Sequence, residues 1–111
     1  MANKPYPLKR SSSFRGVALK GKKRRLSAWI TIQLGPSQDL NNYYGVTASR
    51  KVGNAVVRNK LKRWVRNCVQ NEAWPEKYNA HTIVFVFKPQ AEDKFFSNKK
   101  YSDFLEIFRK I

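Results

Sequence analysis

The segment from residue 54 to about residue 73 constrains the fold more than any other part of the chain. Its apolar residues recur at helical spacing, and Pro75 stops the pattern. On a wheel at about 100° per residue, the apolar side chains share about a third of the circle. They are Val57, Leu61, Trp64, Val65 and Cys68. We therefore predict an amphipathic helix, capped by Asn54 after a break at Gly53, whose apolar stripe packs on a core.

The opposite side of this helix carries basic residues and contains no acid. Arg58, Lys62 and Arg66 are like charges at i, i+4 spacing, which is repulsive on an isolated helix, whereas ordinary solvated faces mix Glu with Lys. Asn59 and Arg63 lie on the same side, and Arg50 and Lys51 extend the charge before the helix begins. An anionic partner that neutralises the face explains the pattern better than solvation does.

The charge of the whole chain agrees with an anionic partner. The 111 residues carry a formal net charge of +16, and 16 of the 23 Lys and Arg precede Glu72, where Asp39 is the only acid. Nucleic acid is the commonest partner of such a surplus, with an anionic membrane as the rival. A membrane partner is disfavoured because the helix needs its apolar stripe for the core, and no apolar run approaches the ~20 residues of a membrane span. Cys68 is the only cysteine, which fits a reducing compartment, and we expect a soluble, cytoplasmic protein.

The remaining pattern predicts one mixed α/β domain over residues 1–111, with residues 1–12 as an extended arm. A short helix is predicted from Ser11–Ser13 to Gly21, followed by a basic loop at 21–25. Strands are predicted at 26–34, 43–50 and 81–88, with room for a third strand within 26–50, and a last helix at 100–111. The order is α-β-β-β-α-β-α when that extra strand is counted.

The residues with reactive side chains do not form a catalytic constellation. His81 is the lone histidine, and no cysteine pair or carboxylate cluster accompanies it, so we expect no metal site in the protein. Two-metal nucleases use several carboxylates, and the basic half of the chain offers Asp39 alone. If RNA is cleaved in the presence of this chain, another molecule supplies the chemistry.

The segment VTASRKVGNAVVRNKLKRWVRNCV, residues 46–69, resembles the motif of the bacterial ribonuclease P protein family. In that family a strand ending in a Ser-Lys-Lys-like triplet leads into Gly-Asn-Ala and a helix with Arg-Asn-Arg, Lys-Arg and Arg. The flanking segments PLKRSSSFRGVALKG, TIVFVFKPQA and YSDFLEIFRKI resemble the family more loosely. The motif residues in this chain are Ser49, Arg50, Lys51, Gly53, Asn54, Ala55, Arg58, Asn59, Lys60, Lys62, Arg63 and Arg66.

The resemblance implies a fold in which the basic helix crosses the sheet in the left-handed sense, against the usual rule. It also implies a monomeric protein bound 1:1 to a catalytic RNA, the ribonuclease P RNA, and to the 5′ leader of precursor tRNA, whose removal gives the mature 5′ end. Arg50, Lys51, Asn54 and the motif residues from Arg58 to Arg66 map to the RNA-binding face. Phe14, Trp29 and Tyr44 map to the leader cleft, and Mg²⁺ is expected to be held mainly by the RNA subunit.

Two positions depart from the family pattern. Lys60 replaces an arginine, which keeps the charge but loses the bidentate fork. Ala18 stands one turn after Phe14, where the family usually has a second aromatic residue. Core packing remains an alternative for Phe14 and Trp29. A basic ribosomal protein without processing activity remains the alternative function, and a helix-turn-helix DNA binder fits less well.

Overall fold

The computed structural model describes residues 5–8, 21–37, 39–92 and 94–111 of the chain. Five strands form one mixed sheet, and a long helix with two shorter ones accompanies it. The strands are β1 (Tyr6–Pro7), β2 (Lys22–Arg25), β3 (Ile30–Pro36), β4 (Tyr43–Ala48) and β5 (His81–Phe87). The helices are α1 (Ala55–Asn71), α2 (Phe95–Asn98) and α3 (Tyr101–Arg109), with a 3-10 turn at Glu76–Tyr78.

The sheet has the strand order β1-β4-β5-β3-β2. β4 pairs in parallel with β1 and β5, whereas β3 pairs antiparallel with β5 and β2. Because β4 and β5 are parallel neighbours, their connection must cross from one end of the sheet to the other, and α1 makes that crossover. Their carboxyl ends, Ala48 and Phe87, therefore lie side by side at the same end of the two inner strands.

One face of the sheet forms the core with α1 and α3. Alternate residues of β3 and β5 point to this face, as the period of two in a strand requires. Ile32 and Phe85 are opposite one another and fully buried, and Phe85 also contacts Phe104 and Phe108 of α3. Four residues of the predicted apolar stripe are buried in the core, namely Leu61, Trp64, Val65 and Cys68, and Val69 joins them. Val57, the fifth residue of the stripe, is partly buried and packs against the core.

The local start and stop of α1 follow from the sequence. The Asn54 side chain accepts a hydrogen bond from the backbone N–H of Val57 at 3.0 Å, so Asn54 caps the helix as predicted. A β-carbon on Gly53 would lie 2.9 Å from Val57, so this approach of the turn to the helix requires glycine. The helix ends at Asn71, four residues before Pro75.

The elements differ from the sequence prediction in four places. Tyr6–Pro7, predicted as part of an extended arm, forms the strand β1 and pairs with β4. Residues 22–25, predicted as a loop, form the edge strand β2, and the following strand begins at Ile30 because residues 27–29 bend. The short helix α2 was not predicted. The predicted first helix, with Phe14, lies outside the described residues, and the hand of the crossover stays a prediction. Within the described ranges, no helix is both long and apolar enough to cross a membrane.

Candidate nucleic-acid interface

The turn between β4 and α1 presents two cations to solvent. The backbone N–H of Val52 donates to the carbonyl of Ser49 at 3.0 Å and closes a turn around Arg50 and Lys51. Both side chains are exposed, whereas Val52 is buried and anchors the turn to the core. The turn therefore places Arg50 and Lys51 directly before the first turn of α1, which contains no acid.

The exposed side of α1 continues this positive surface. Asn59, Lys62, Arg63 and Arg66 are exposed, and none of them forms a salt bridge with a residue that the structure describes. A helix N-terminus carries a partial positive charge, so cations beside it are unfavourable until an anion binds. This acid-free surface of Arg50, Lys51, Asn59, Lys62, Arg63 and Arg66 is called the α1 surface below.

Arg58 sits at the border between the α1 surface and the protein interior. Its side chain is half-buried, and its Nε atom is buried without a hydrogen bond to any residue in the described part of the chain. A buried donor left unpaired costs about 1–3 kcal/mol, and more when it is charged. Because the Nε atom itself is buried, an external acceptor such as a phosphate can reach it only if the side chain moves.

Lys60 does not belong to the α1 surface, because its ammonium is bound within the protein, and its predicted contact with RNA stays a prediction. Its ammonium donates to the carbonyls of Phe96, Ser97 and Lys99 at 2.9, 3.3 and 3.2 Å. It also lies 5.1 Å from the centre of the Trp64 ring. An ammonium has three donors and here all three are used, so Lys60 caps the carboxyl end of α2.

A groove of about 480 Å³ opens at the carboxyl ends of β4 and β5. Apolar side chains form part of its wall, and the ammonium groups of Lys62 and Lys88 give it positive charge. Lys88 was missed by the sequence reasoning, which did not pair β4 with β5 in parallel. Its position directly after a buried strand was the available signal. The groove is lined by Val46, Thr47, Ala48, Ser49, Lys62, Val86, Phe87, Lys88 and Pro89.

Trp29 packs in the core, which favours the core alternative for this residue over a place in the leader cleft. Its side chain is 6% exposed, and its ring lies 6.2, 6.1 and 5.8 Å from the rings of Phe87, Phe95 and Phe96. The Lys99 ammonium lies 5.6 Å from its ring centre. Protein groups therefore occupy the positions that a stacked base would need.

Tyr44 and Trp29 are not brought together by the fold. Tyr44 pairs with Ile83 near the start of β5, whereas the carbonyl of Trp29 accepts from the N–H of Lys88 beyond its end. At about 3.3 Å per residue, these positions are roughly 16 Å apart along the strands. Tyr44 is half-buried and packs against the core. Phe14 lies outside the described residues.

Within the described ranges, the titratable groups form no catalytic cluster. Asp39 accepts hydrogen bonds from the Tyr43 hydroxyl and the Asn41 N–H, which hold the pKa of its carboxyl below the ordinary value. Burial raises the pKa of the Cys68 thiol, which faces the Tyr101 hydroxyl at 3.4 Å. Among the described residues, no group of three or more His, Cys, Asp or Glu side chains could hold a metal ion. The ammonium groups of the groove would repel a cation, so the donor set does not fit Mg²⁺.

Comparisons with known proteins agree with this geometry. The family model described as Ribonuclease P matches residues 2–111. The Ribonuclease P protein component of Bacillus cereus (strain B4264) is 29% identical over 107 residues, covering 96% of this chain and 91% of that protein. The ribosomal alternative is not favoured by these matches.

Solved structures share the fold. The RNase P protein from Thermotoga maritima has a TM-score of 0.74 at 22% identity, covering 95% of this chain and 96% of that one. The Staphylococcus aureus RNase P protein has a TM-score of 0.71 at 19% identity, with 97% and 93% covered. At these identities the two structures support the mixed α/β architecture alone.

Proposed function

Because this chain belongs to the ribonuclease P family and is the protein subunit of that ribonucleoprotein, we propose a binding role for each of two of its surfaces. The α1 surface binds the catalytic RNA, and an adjoining cleft holds the 5′ leader of precursor tRNA. The observation that carries the proposal is the exposed, acid-free run of cations on α1, none paired to a described acidic residue. RNA phosphates would provide the negative charges that neutralise these cations.

The arginines of the α1 surface suit a structured RNA backbone. Arg63 and Arg66 are exposed one turn apart, so their planar guanidinium groups can each grip a phosphate through two parallel hydrogen bonds. Arg58 adds a half-buried guanidinium whose Nε is unpaired among the described residues. Together with Arg50 and Lys51, they extend the positive charge from the turn into the fourth turn of α1.

The groove at the ends of β4 and β5 is the surface that we assign to the leader. Lys62 and Lys88 provide charge for the backbone, while the half-buried Val46 and Ala48 provide apolar surface beside an unpaired base. Phe14 stays a predicted member of the cleft, whereas Tyr44 lies toward the other end of β4 and does not line this groove. Lys62 lies in both surfaces, so the groove and the α1 surface adjoin.

We assign the chemistry of leader removal to the RNA subunit. The described part of the chain presents no carboxylate cluster and no nucleophile beside a base, which the usual protein nucleases need. The Mg²⁺ ions are assigned to the RNA, since the groove carries ammonium groups in place of carboxylates. The protein's part is to bind and position substrate beside a polyanionic catalyst. We further propose a cytoplasmic 1:1 complex.

The salt dependence of assembly tests the role of the α1 surface. We expect R63Q/R66Q to lower the slope of log K against log salt for a bacterial ribonuclease P RNA by about 1.8, because each duplex phosphate contact contributes about 0.9. The matched control, K94Q/K110Q, removes two exposed cations from the other end of the chain. Equal slopes for wild type and R63Q/R66Q would show that these arginines contact no phosphate.

A further inference from the structure

The edge strand β2 is the strongest charged feature that the proposed function does not use. All four of its residues are basic, and Lys22, Lys23 and Arg25 are exposed. None of them forms a salt bridge with any residue in the described ranges. β2 pairs with β3 on one side only, so it closes the sheet at the edge opposite β1.

The cations of β2 project on both sides of the sheet. Lys23 and Arg25 are opposite Gln33 and Thr31, whereas Lys22 and Arg24 are opposite the buried Leu34 and Ile32. Residues two apart on a strand are about 7 Å apart, so each side of the edge carries a pair of cations at that spacing.

One of these cations is held in place by the segment that follows α1. The Arg24 guanidinium donates to the Tyr78 hydroxyl at 3.0 Å, and the Lys77 ammonium lies 5.5 Å from the centre of the Tyr78 ring. Trp74 in turn donates its indole N–H to the Tyr78 carbonyl at 2.9 Å. The packed 3-10 turn thus orders the edge and adds Lys77 to it, beside the exposed Glu76.

This edge is separate from the α1 surface. α1 packs against β4 and α3, and β2 lies three strands away from β4. At about 4.8 Å per strand, the separation across the sheet is roughly 14 Å. No large aromatic or aliphatic side chain is exposed on β2, and the exposed Tyr6 lies on the opposite edge. The edge therefore presents cations suited to a phosphate backbone and no exposed aromatic ring on which unpaired bases would stack.

We propose that β2 is a second RNA-docking edge, which contacts the phosphate backbone of a duplex segment of the catalytic RNA that α1 binds. The inference rests on the proposed function, because it takes that RNA as the partner. Two separated contacts on one RNA make the second binding event intramolecular and so strengthen assembly. The transient leader needs stacking platforms, which this edge does not have.

Basic residues on an edge strand also prevent edge-to-edge association, which is the competing explanation. Edge protection requires charge or polarity, whereas RNA docking requires positive charge. Substitution of Lys22, Lys23 and Arg25 by glutamine therefore separates the two. Arg24 is left intact because it bonds to Tyr78.

The experiment measures binding of a bacterial ribonuclease P RNA to the full chain over a range of salt concentrations. We expect K22Q/K23Q/R25Q to lower the slope of log K against log salt by about 1.8–2.7, for two or three duplex contacts. K22R/K23R should bind like wild type. The control K94Q/K100Q/K110Q removes the same charge elsewhere and should leave the slope nearly unchanged. Thermal melting and light scattering check that each variant is folded and monomeric.

Several outcomes overturn the inference. They are an unchanged slope in the β2 variant, an equal loss in the control, or self-association without loss of RNA affinity. A loss confined to binding of precursor tRNA without the catalytic RNA overturns the choice of partner. The R63Q/R66Q variant, measured in parallel, distinguishes failure of the β2 proposal from failure of the proposed function. If R63Q/R66Q lowers the salt slope and the β2 variant does not, only the proposal for β2 is wrong.

Discussion

Lys60 and Lys62 stand two positions apart on α1, and only the fold separates their roles. Both are basic members of the same sequence motif. Lys60 points to the carboxyl end of α2 and binds three carbonyls, whereas Lys62 is exposed at the groove. A helical wheel assigns each residue to a side of its own helix, but it cannot show that a second helix ends beside that side. The sequence therefore could not reveal that Lys60 is a structural residue.

The contacts of Lys60 predict a loss of stability on its removal. We expect Lys60→Ala to lower the free energy of unfolding by about 1–2 kcal/mol, since its charged hydrogen bonds are partly exposed to solvent. Lys62→Ala, the matched control, should change stability by less than about 0.5 kcal/mol. Urea denaturation of both variants measures the difference. Equal stabilities would show that the Lys60 cap contributes nothing.

The role of the aromatic residues predicted for the cleft likewise depends on packing that the sequence does not show. Trp29 lies among Phe87, Phe95 and Phe96, an aromatic group that includes a short helix not visible in the sequence pattern. Composition favoured neither cleft nor core for this residue, and packing decides it. Phe14 remains the residue predicted to stack on the leader.

A leader-dependent binding assay tests Phe14. We expect Phe14→Ala to weaken binding of a long-leader substrate to the assembled RNA–protein complex by ~1–3 kcal/mol, the cost of one stacked base. A substrate without a leader should bind as before, and assembly should be intact. If Phe14 is instead a core residue, both substrates lose affinity together and the melting temperature falls.

At the scale of elements, α1 was predictable and β2 was not. The boundaries of α1 depend on local signals: the Asn54 cap, an apolar stripe, and Pro75 beyond its end. β2 is a run of four basic residues without β-branched or aromatic side chains, so no local preference indicates a strand. It becomes one because β3 offers an unpaired edge, which is a tertiary effect.

The contact between α1 and α3 predicts a pH dependence of stability. Burial, followed by the bond with Cys68, raises the pKa of Tyr101 to about 12 from an ordinary 10.0. A folded pKa above the unfolded one contributes stability that is fully present below pH 10 and is lost as pH rises through about 12.

Chemical denaturation between pH 9.5 and pH 12 tests this contact. Wild-type stability should fall more steeply across that window than the stability of Tyr101→Phe, which lacks the titrating phenol. Tyr43 and Cys68, whose pKa values are also raised, remain in both proteins and provide the common background. Parallel pH profiles would contradict the assignment of a raised pKa to Tyr101.

For the molecule as a whole, the charge and the motif at residues 46–69 indicated from the sequence alone an RNA-binding protein of the ribonuclease P family, which is correct. The strip from Arg50 to Arg66 is basic in sequence and lies on one exposed surface apart from Lys60 and the half-buried Arg58. The groove could not be predicted, because it forms only where the parallel strands β4 and β5 end together. The crossover hand comes from the family resemblance and not from residue chemistry.

We propose above all that this chain binds and positions RNA while an RNA subunit performs the cleavage. The most direct measurement compares precursor tRNA cleavage at low Mg²⁺ by the protein alone, a bacterial ribonuclease P RNA alone, and both together. We predict cleavage at the mature 5′ end only from the mixture, and a reduced rate with R63Q/R66Q at limiting protein. Cleavage by the purified protein alone, abolished by a point substitution in this chain, would contradict the account, as would a mixture no more active than the RNA.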